Sequence, residues 1–500
     1  MPQKKKCTQC CAAILLLALS LHFSDSTANA AAPPAPYGPL PTQRQLARQT
    51  DEFYGFVHFG VNTFTDREWG EGDESESVFD PANFDADQIV RVAKAAGMKG
   101  LVLTCKHHDG FCLWPSAYTT HSVKNSKWMD GQGDVVKAIS SACRKQGLKF
   151  GIYLSPWDRN HADYGTPKYL DFYRKQLREL LTQYGPISEV WFDGANGGSG
   201  YYGGARETRT IDAQTYYQWS NTWQIVRELQ PNAVMFSDVG PDIRWVGNED
   251  GLAGDPCWDT VDPTGWFPGK SDDDKLFHGC RPFSPDPALR WIPAECDVSI
   301  RPGWFYHSSE DTKVKTAREL LDIYYNSIGH GASLILNIPP DRNGQIHSND
   351  AASLHEFRRI IDATFARNLA AGAKVTASNV RGNDPQFSAK NVLNENPDAY
   401  WTTDDSIANA DLVLDLGSPR TFNVVELREY LPLGQRIEGF ALARWQDGKW
   451  IEFAAGTSIG NRRLIRTNDI RTEKVRVRIT KAAVCPALSK IGLFAEPKLP

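Results

Sequence analysis

Asp193 ends the run Ile187-Ser-Glu-Val-Trp-Phe-Asp-Gly-Ala-Asn196, where β-forming residues give way to glycine. Gly185 and Pro186 punctuate its start, and Val190, Trp191 and Phe192 favour a strand, so the carboxylate stands at the strand's carboxyl end. In a parallel α/β barrel that end is where reacting groups collect; an isolated Asp-Gly reads equally well as a turn cap. Three further strand-like runs end in polar and aromatic clusters: Phe56-Val-His58-Phe-Gly60, Lys106-His107-His108-Asp109-Gly110-Phe111 and Tyr153-Leu-Ser155-Pro-Trp157-Asp158. Singly, His58 reads as a satisfied core histidine and the His107/His108 pair as loop residues. Together they form a polar, aromatic-lined cup around Asp193, with donors suited to the hydroxyls of a bound sugar. Neighbouring residues on an extended strand point to opposite faces, which predicts that His107 and His108 do not share an ion. No His-Glu-x-x-His spacing is present, so no catalytic metal is expected. No Gly-x-Ser-x-Gly elbow supports a serine hydrolase.

The elements that must position these residues are strand-like runs alternating with amphipathic ones. Strands are predicted at 53–59, 100–104, 150–155, 188–192, 233–237 and 333–338, and helices at 85–96, 135–146, 168–184, 213–229 and 312–328. Six repeats of this kind imply a parallel sheet with crossover helices, and fit an α/β, (β/α)8-like barrel better than an open sheet. Residues 239–311, rich in Pro, Gly, Trp and Asp, show no clear helix, so the later repeats are expected to be irregular. After a helical run at 351–366 the pattern changes to short alternating segments at 410–416, 423–430, 439–445 and 474–480. These read as a separate C-terminal antiparallel β-sandwich. The expected domains are a barrel over 31–368 and a sandwich over 369–500.

Residues 1–30 read as an export signal: Lys4 to Lys6 form a basic start, 12–21 an apolar core and Ala28-Asn29-Ala30 a cleavage site. The expected location is periplasmic or secreted. That apolar core is too short for a stable membrane span, and no other segment approaches its length. The chain is mildly acidic, with a formal net charge of −5, and becomes more so without its three leader lysines, which argues against a nucleic-acid partner. Cysteines remain at 105, 112, 143, 257, 280, 296 and 485, with no Cys-x-x-Cys to hold zinc. Cys257 and Cys280 bracket a loop-rich stretch and are the first disulfide candidates. Fifteen tryptophans supply flat apolar rings of the kind that pack on sugar faces.

Phe56–Gly60, Trp69, Lys106–Phe111, Tyr153–Trp157 and Glu189–Gly194, in that order, resemble glycoside hydrolase family 29, the retaining α-L-fucosidases, over residues 40 to 365. The resemblance implies that Asp193 is the nucleophile, that His58, Trp69, His107, His108, Tyr153 and Trp191 line a fucose subsite, and that no cofactor is needed. Retaining chemistry requires a second, protonated carboxyl about 5–5.5 Å from the nucleophile. Two glutamates qualify. Glu249 lies in Gly240-Pro-Asp-Ile-Arg-Trp-Val-Gly-Asn-Glu249, which resembles the branch that cleaves terminal α-1,3/4-linked fucose, and is favoured as acid/base. Glu295, in Trp291-Ile-Pro-Ala-Glu295-Cys-Asp-Val-Ser-Ile-Arg301-Pro-Gly-Trp304, is the alternative, with Arg301 and Trp304 as further substrate-binding candidates.

The C-terminal unit resembles the F5/8 type C, or discoidin-like, sandwich through Phe387 to Leu393, Tyr400-Trp401 and Leu412 to Gly417. Such modules bind glycans in some relatives and calcium in others; here the loop from Asn394 to Asp398 is a candidate structural Ca2+ site. The expected substrate is a fucosylated oligosaccharide or glycoconjugate. Two rival readings follow from the same residues: a surface glycan-binding protein with a degenerate barrel, and a retaining glycosidase or transfucosidase of another linkage specificity.

Overall fold

The computed structural model describes residues 31–270, 273–278 and 287–498. The leader at 1–30 and Cys280, with the disulfide expected of it, lie outside the described residues. Eight parallel strands close a barrel: β1 Phe53–Val57, β2 Gly100–Lys106, β3 Lys149–Leu154, β4 Glu189–Trp191, β5 Val234–Ser237, β6 Ile243–Trp245, β7 Ala294–Ser299 and β8 Ser333–Asn337, each bonded to its sequence neighbours and β8 to β1. Helices Ala86–Ala95, Val135–Gln146, Pro167–Gln183, Trp219–Leu229, Ala317–Asn326 and Ser348–Phe365 pack outside. Several start where the sequence supplies a cap. Asp85 and Asp134 accept the N–H of Gln88 and Lys137, and Thr316 and Glu319 form a capping box.

Alternation along each strand separates two cores. Phe53 and Val57 face the helices, whereas Tyr54 and Phe56 join Val102, Tyr153, Trp191, Phe236 and Ile335 inside the barrel. On β4 the same period places Glu189, Trp191 and, just beyond the strand, Asp193 in rising layers on the inner side. On β7 it does so for Glu295, Asp297 and Ser299. The irregularity expected over 239–311 is present: only the five residues 238–242 separate β5 from β6, and among the described residues between β6 and β7 the helical content is one short helix, Asp273–His278.

The C-terminal unit is a seven-stranded antiparallel sheet that folds around a second core of Trp401, Leu412, Leu414, Phe422, Leu427, Leu442, Val477, Ile491 and Leu493. The segments expected at 410–416 and 423–430 belong to one strand, Ala410–Glu429, whose pairing with Arg463–Ala482 shifts register between Asp415 and Arg420. In the candidate calcium loop, Asn394 and Asn396 turn their side-chain oxygens to the backbone N–H groups of Asn396 and Asp398, and Glu395 reaches Lys490 at 3.6 Å. The two units meet through ion pairs: Arg463 grips Asp255 at 2.9 and 2.6 Å, Arg462 holds Glu52 at 2.8 Å and Arg466 reaches Asp322 at 2.7 Å.

Candidate active site

One cavity at the carboxyl ends of the strands gathers Phe56, His58, Glu68, Trp69, His107, His108, Trp191, Asp193, Glu249, Asp297 and Trp304. Asp193 sits just past β4, where Oδ1 accepts the Ala195 N–H at 2.7 Å and Oδ2 accepts the Tyr153 hydroxyl at 3.0 Å. It therefore does cap its turn, with one oxygen, and presents the other to the cavity beside His108, whose Nε2 lies 3.9 Å away. Beneath the turn Asp238 packs against Gly194, too close for any side chain there. Burial and the Asp193 charge push its pKa to about 6, against the pull of the Gly269 N–H.

The histidines are held neutral and oriented. Burial lowers the His58 pKa to about 3. Its Nδ1 lies 2.9 Å from Asn337 Oδ1, and the Asn337 amide nitrogen donates to Ser299 Oγ and the Trp304 carbonyl, so the histidine must be the donor. His108 is likewise shifted down by burial, against the pull of Asp193. Ser155 donates its proton to the Trp157 carbonyl and so accepts from His108 Nδ1 at 2.7 Å. In both rings Nε2 is left as an acceptor, a match for a hydroxyl that donates. The expectation that His107 and His108 diverge fails. β2 ends at Lys106, the pair lies in a turn, and the two ring centroids are 4.1 Å apart at the same cavity. His107 stacks on Tyr153 with its Nδ1 buried and without a hydrogen-bond partner.

Glu249 stands at the exposed rim on the loop after β6, its Oε2 accepting the Trp304 indole N–H at 3.1 Å. Partial burial of the carboxyl, then the charges of Asp193, Glu68 and Asp250, raise its pKa above the ordinary value, and the indole hydrogen bond opposes them. Glu295 is not brought to the cavity. It is fully buried one layer lower, where Arg48 joins it to Glu189 and the Trp191 indole donates to it at 3.2 Å. Two strand residues, about 6–7 Å of rise, separate it from the layer of Asp297. Arg301 is also displaced from the site: its guanidinium is buried against Asp350 at 2.9 Å and Asp311 at 3.0 Å, where it holds the loop that carries Trp304.

Two cavity residues lie outside the sequence expectations. Asp297 is buried, accepts the Trp245 indole N–H at 2.8 Å, and has its pKa raised well above the ordinary value by burial and by Glu249. Its signal in the sequence is the period of two from Glu295. Glu68, next to Trp69, accepts the backbone N–H groups of Trp304 and Phe305 at 2.7 and 3.1 Å. Trp69 itself is 53% exposed and packs edge-on against His108 and Trp157.

The family model for α-L-fucosidase matches residues 42–362, the whole barrel. The chain belongs to the α-L-fucosidases of glycoside hydrolase family 29. A second model, the F5/8 type C domain, matches residues 374–495. The chain is 42% identical over 486 residues to α-L-fucosidase 1 of Arabidopsis thaliana, covering 96% of this chain and 92% of that protein. A solved putative α-L-fucosidase from Bacteroides thetaiotaomicron superposes with a TM-score of 0.84 at 39% identity, over 93% of this chain and 99% of the other. A Ruminococcus gnavus family 29 fucosidase solved in complex with fucose gives 0.83 at 32% identity, over 94% and 97%. Family 29 α-L-fucosidases work without a cofactor. Among the described residues no helix is long and apolar enough to cross a membrane.

Proposed function

We propose that this family 29 fucosidase is an exo-acting, retaining enzyme that removes terminal α-1,3/4-linked fucose of Lewis type, with Asp193 as nucleophile and Glu249 as acid/base. The observation that carries the reading is the pair of carboxyls facing one cavity: Asp193 held by Tyr153 from the barrel floor, and Glu249 on the rim with its proton favoured by its surroundings. In the first step an Asp193 oxygen attacks the anomeric carbon as the glycosidic C–O bond breaks, and the Glu249 proton passes to the departing oxygen. In the second, the Glu249 carboxylate takes a proton from water, whose oxygen attacks the same carbon and expels Asp193. Two inversions retain the configuration.

The linkage rests on the likeness of the Gly240 to Glu249 run to one branch of the family. Trp69 and Trp304 offer apolar faces to the sugar, and the acceptor nitrogens of His58 and His108 suit its hydroxyls. The basic and apolar start of the chain supports export to the periplasm or medium. Asp193→Ala is expected to lower kcat on fucosides by about 10^4 or more, and turnover near that of the parent would sink the assignment. In Glu249→Ala, azide should restore turnover of an activated aryl fucoside and yield the azide of retained configuration. A comparison of α-1,2-, α-1,3/4- and α-1,6-linked fucosides tests the linkage.

A further inference from the structure

Two loops overhang the sugar subsite, one following the short helix Val61–Thr65 and the other following β7, and each contributes a tryptophan, Trp69 and Trp304. His307 and Glu68 join them. His307 places Nδ1 2.9 Å from Asp66 Oδ1 and Nε2 2.6 Å from Glu68 Oε1. A neutral imidazole has one N–H, and ionised carboxylates only accept, so both contacts together require the imidazolium. Glu68 passes the connection on: besides His307 it accepts the backbone N–H groups of Trp304 and Phe305. The Trp304 indole then donates to Glu249 at 3.1 Å. The approach is close at Gly303, where a Cβ would lie 2.6 Å from Glu68 Oε1 and 3.0 Å from His307 Cδ2.

The other charged groups around this junction leave the imidazolium favoured. Arg342 reaches the same Asp66 oxygen at 3.7 Å, Arg301 donates to the His307 carbonyl at 3.4 Å and is itself neutralised by Asp350 and Asp311, and Glu310 accepts the Gly303 N–H. His347 faces Asp311 at 3.7 Å, not His307. Burial disfavours charge on His307, but the hydrogen bonds to Asp66 and Glu68 outweigh it and hold its pKa above the ordinary 6.5.

We propose that His307 is a positioning residue whose imidazolium staples the Trp69 loop to the Trp304 loop, setting two walls of the sugar subsite and the indole donor on Glu249. The inference rests on the fucosidase reading of the cavity. With a raised pKa the staple is complete at low pH and is lost as pH rises through that pKa.

The test uses the full chain and 4-nitrophenyl α-L-fucoside, whose leaving group needs little acid assistance. For His307→Gln, which cannot bridge two carboxylates, KM is expected to rise about ten-fold, the effect of one charge-assisted hydrogen bond, with kcat changed by less than about three-fold. In the parent, KM should be flat at low pH and climb as His307 loses its proton; in the variant it should be high and level through the same window. A residue that only supports the fold would not move the pH course of KM. A variant KM within about two-fold of the parent, or the same pH course in both proteins, overturns the proposal. Should His307→Gln not fold, Asp66→Asn at the exposed end of the staple is expected to move the climb in KM to lower pH, and an unmoved climb counts against it. If the parent turns over no fucoside, the functional reading fails and the staple is judged by NMR titration of the His307 ring. A midpoint above 6.5 that falls in Asp66→Asn supports it, and a parent midpoint at or below 6.5 overturns it.

Discussion

Four carboxyls face the cavity: Glu68 is taken up by the Trp304 loop, and Asp193, Asp297 and Glu249 differ in their surroundings. Asp193 takes hydrogen bonds from the Tyr153 hydroxyl and the Ala195 N–H. Asp297, buried and close to Glu249, has its pKa raised well above the ordinary carboxyl value, by burial first and then by the Glu249 charge. Glu249, raised by partial burial and by Asp193, must hold its proton to act as an acid. The sign follows directly: a raised pKa extends the active, protonated form upward, and kcat/KM on a glycan substrate falls as pH rises through it. The upward shift favours a neutral Asp297 and makes a sharper prediction. Asp297→Asn, isosteric and uncharged, should leave the alkaline limb of kcat/KM where it is, because no charge near Glu249 has been removed. An ionised Asp297 would instead make that limb move to lower pH in the variant. Asp297→Ala, which leaves the Trp245 indole without its acceptor, is expected to cost about ten- to a hundred-fold in kcat/KM.

At the scale of elements, the site is assembled by strand ends and by loops, one of which is fastened from below. Arg301, expected to touch substrate, is instead buried against Asp350 under the Trp304 loop, with both side chains fully buried. Breaking such a pair strands the remaining charge. Arg301→Leu is expected to destabilise the fold by about 3–5 kcal/mol, and Arg301→Leu with Asp350→Leu by clearly less, as measured by urea unfolding. Equal losses in the single and double variants would contradict this. The same segment shows where sequence reasoning runs out. The six legible strands carry apolar residues on both faces, as buried parallel strands do. β6 has only three residues, and β7 turns Glu295, Asp297 and Ser299 inward, so its pattern reads as polar loop. That pattern also makes Glu295 resemble an acid of the site. Height along the barrel, which separates a carboxyl paired with Arg48 from one at the cavity, is set by closure of the sheet and has no local signal. His58, His107, His108, Tyr153 and Trp191 are legible because each follows or ends a strand that can be placed; Glu68 lies on a connecting loop and is not.

Across the whole molecule, the C-terminal sheet braces the barrel on the segment that follows Glu249. Arg463 pairs with both oxygens of Asp255, Ser458 Oγ accepts the Cys257 N–H, Gln435 accepts the Asp259 N–H, and the Asn461 amide donates to the Gln49 carbonyl. Arg466 lies 3.7 Å over the Tyr325 ring and Phe494 packs edge-on against Phe365, so the two apolar cores meet at this junction. Units joined in this way are expected to unfold together. Calorimetry should show one transition for the chain from residue 31, and removal of residues from 369 onward should leave a barrel of lower Tm with exposed aromatic surface. A barrel that melts at the parental temperature would show that the brace contributes nothing. The single change Arg463→Ala separates packing from charge. It removes a bidentate pair that is buried on the arginine side and part-exposed on the aspartate side, and a loss of about 1–2 kcal/mol is expected. Because Asp255 follows Glu249 by only six residues, the same variant should lower kcat on natural glycans more than on an activated aryl fucoside, the substrate that least needs a well-placed acid.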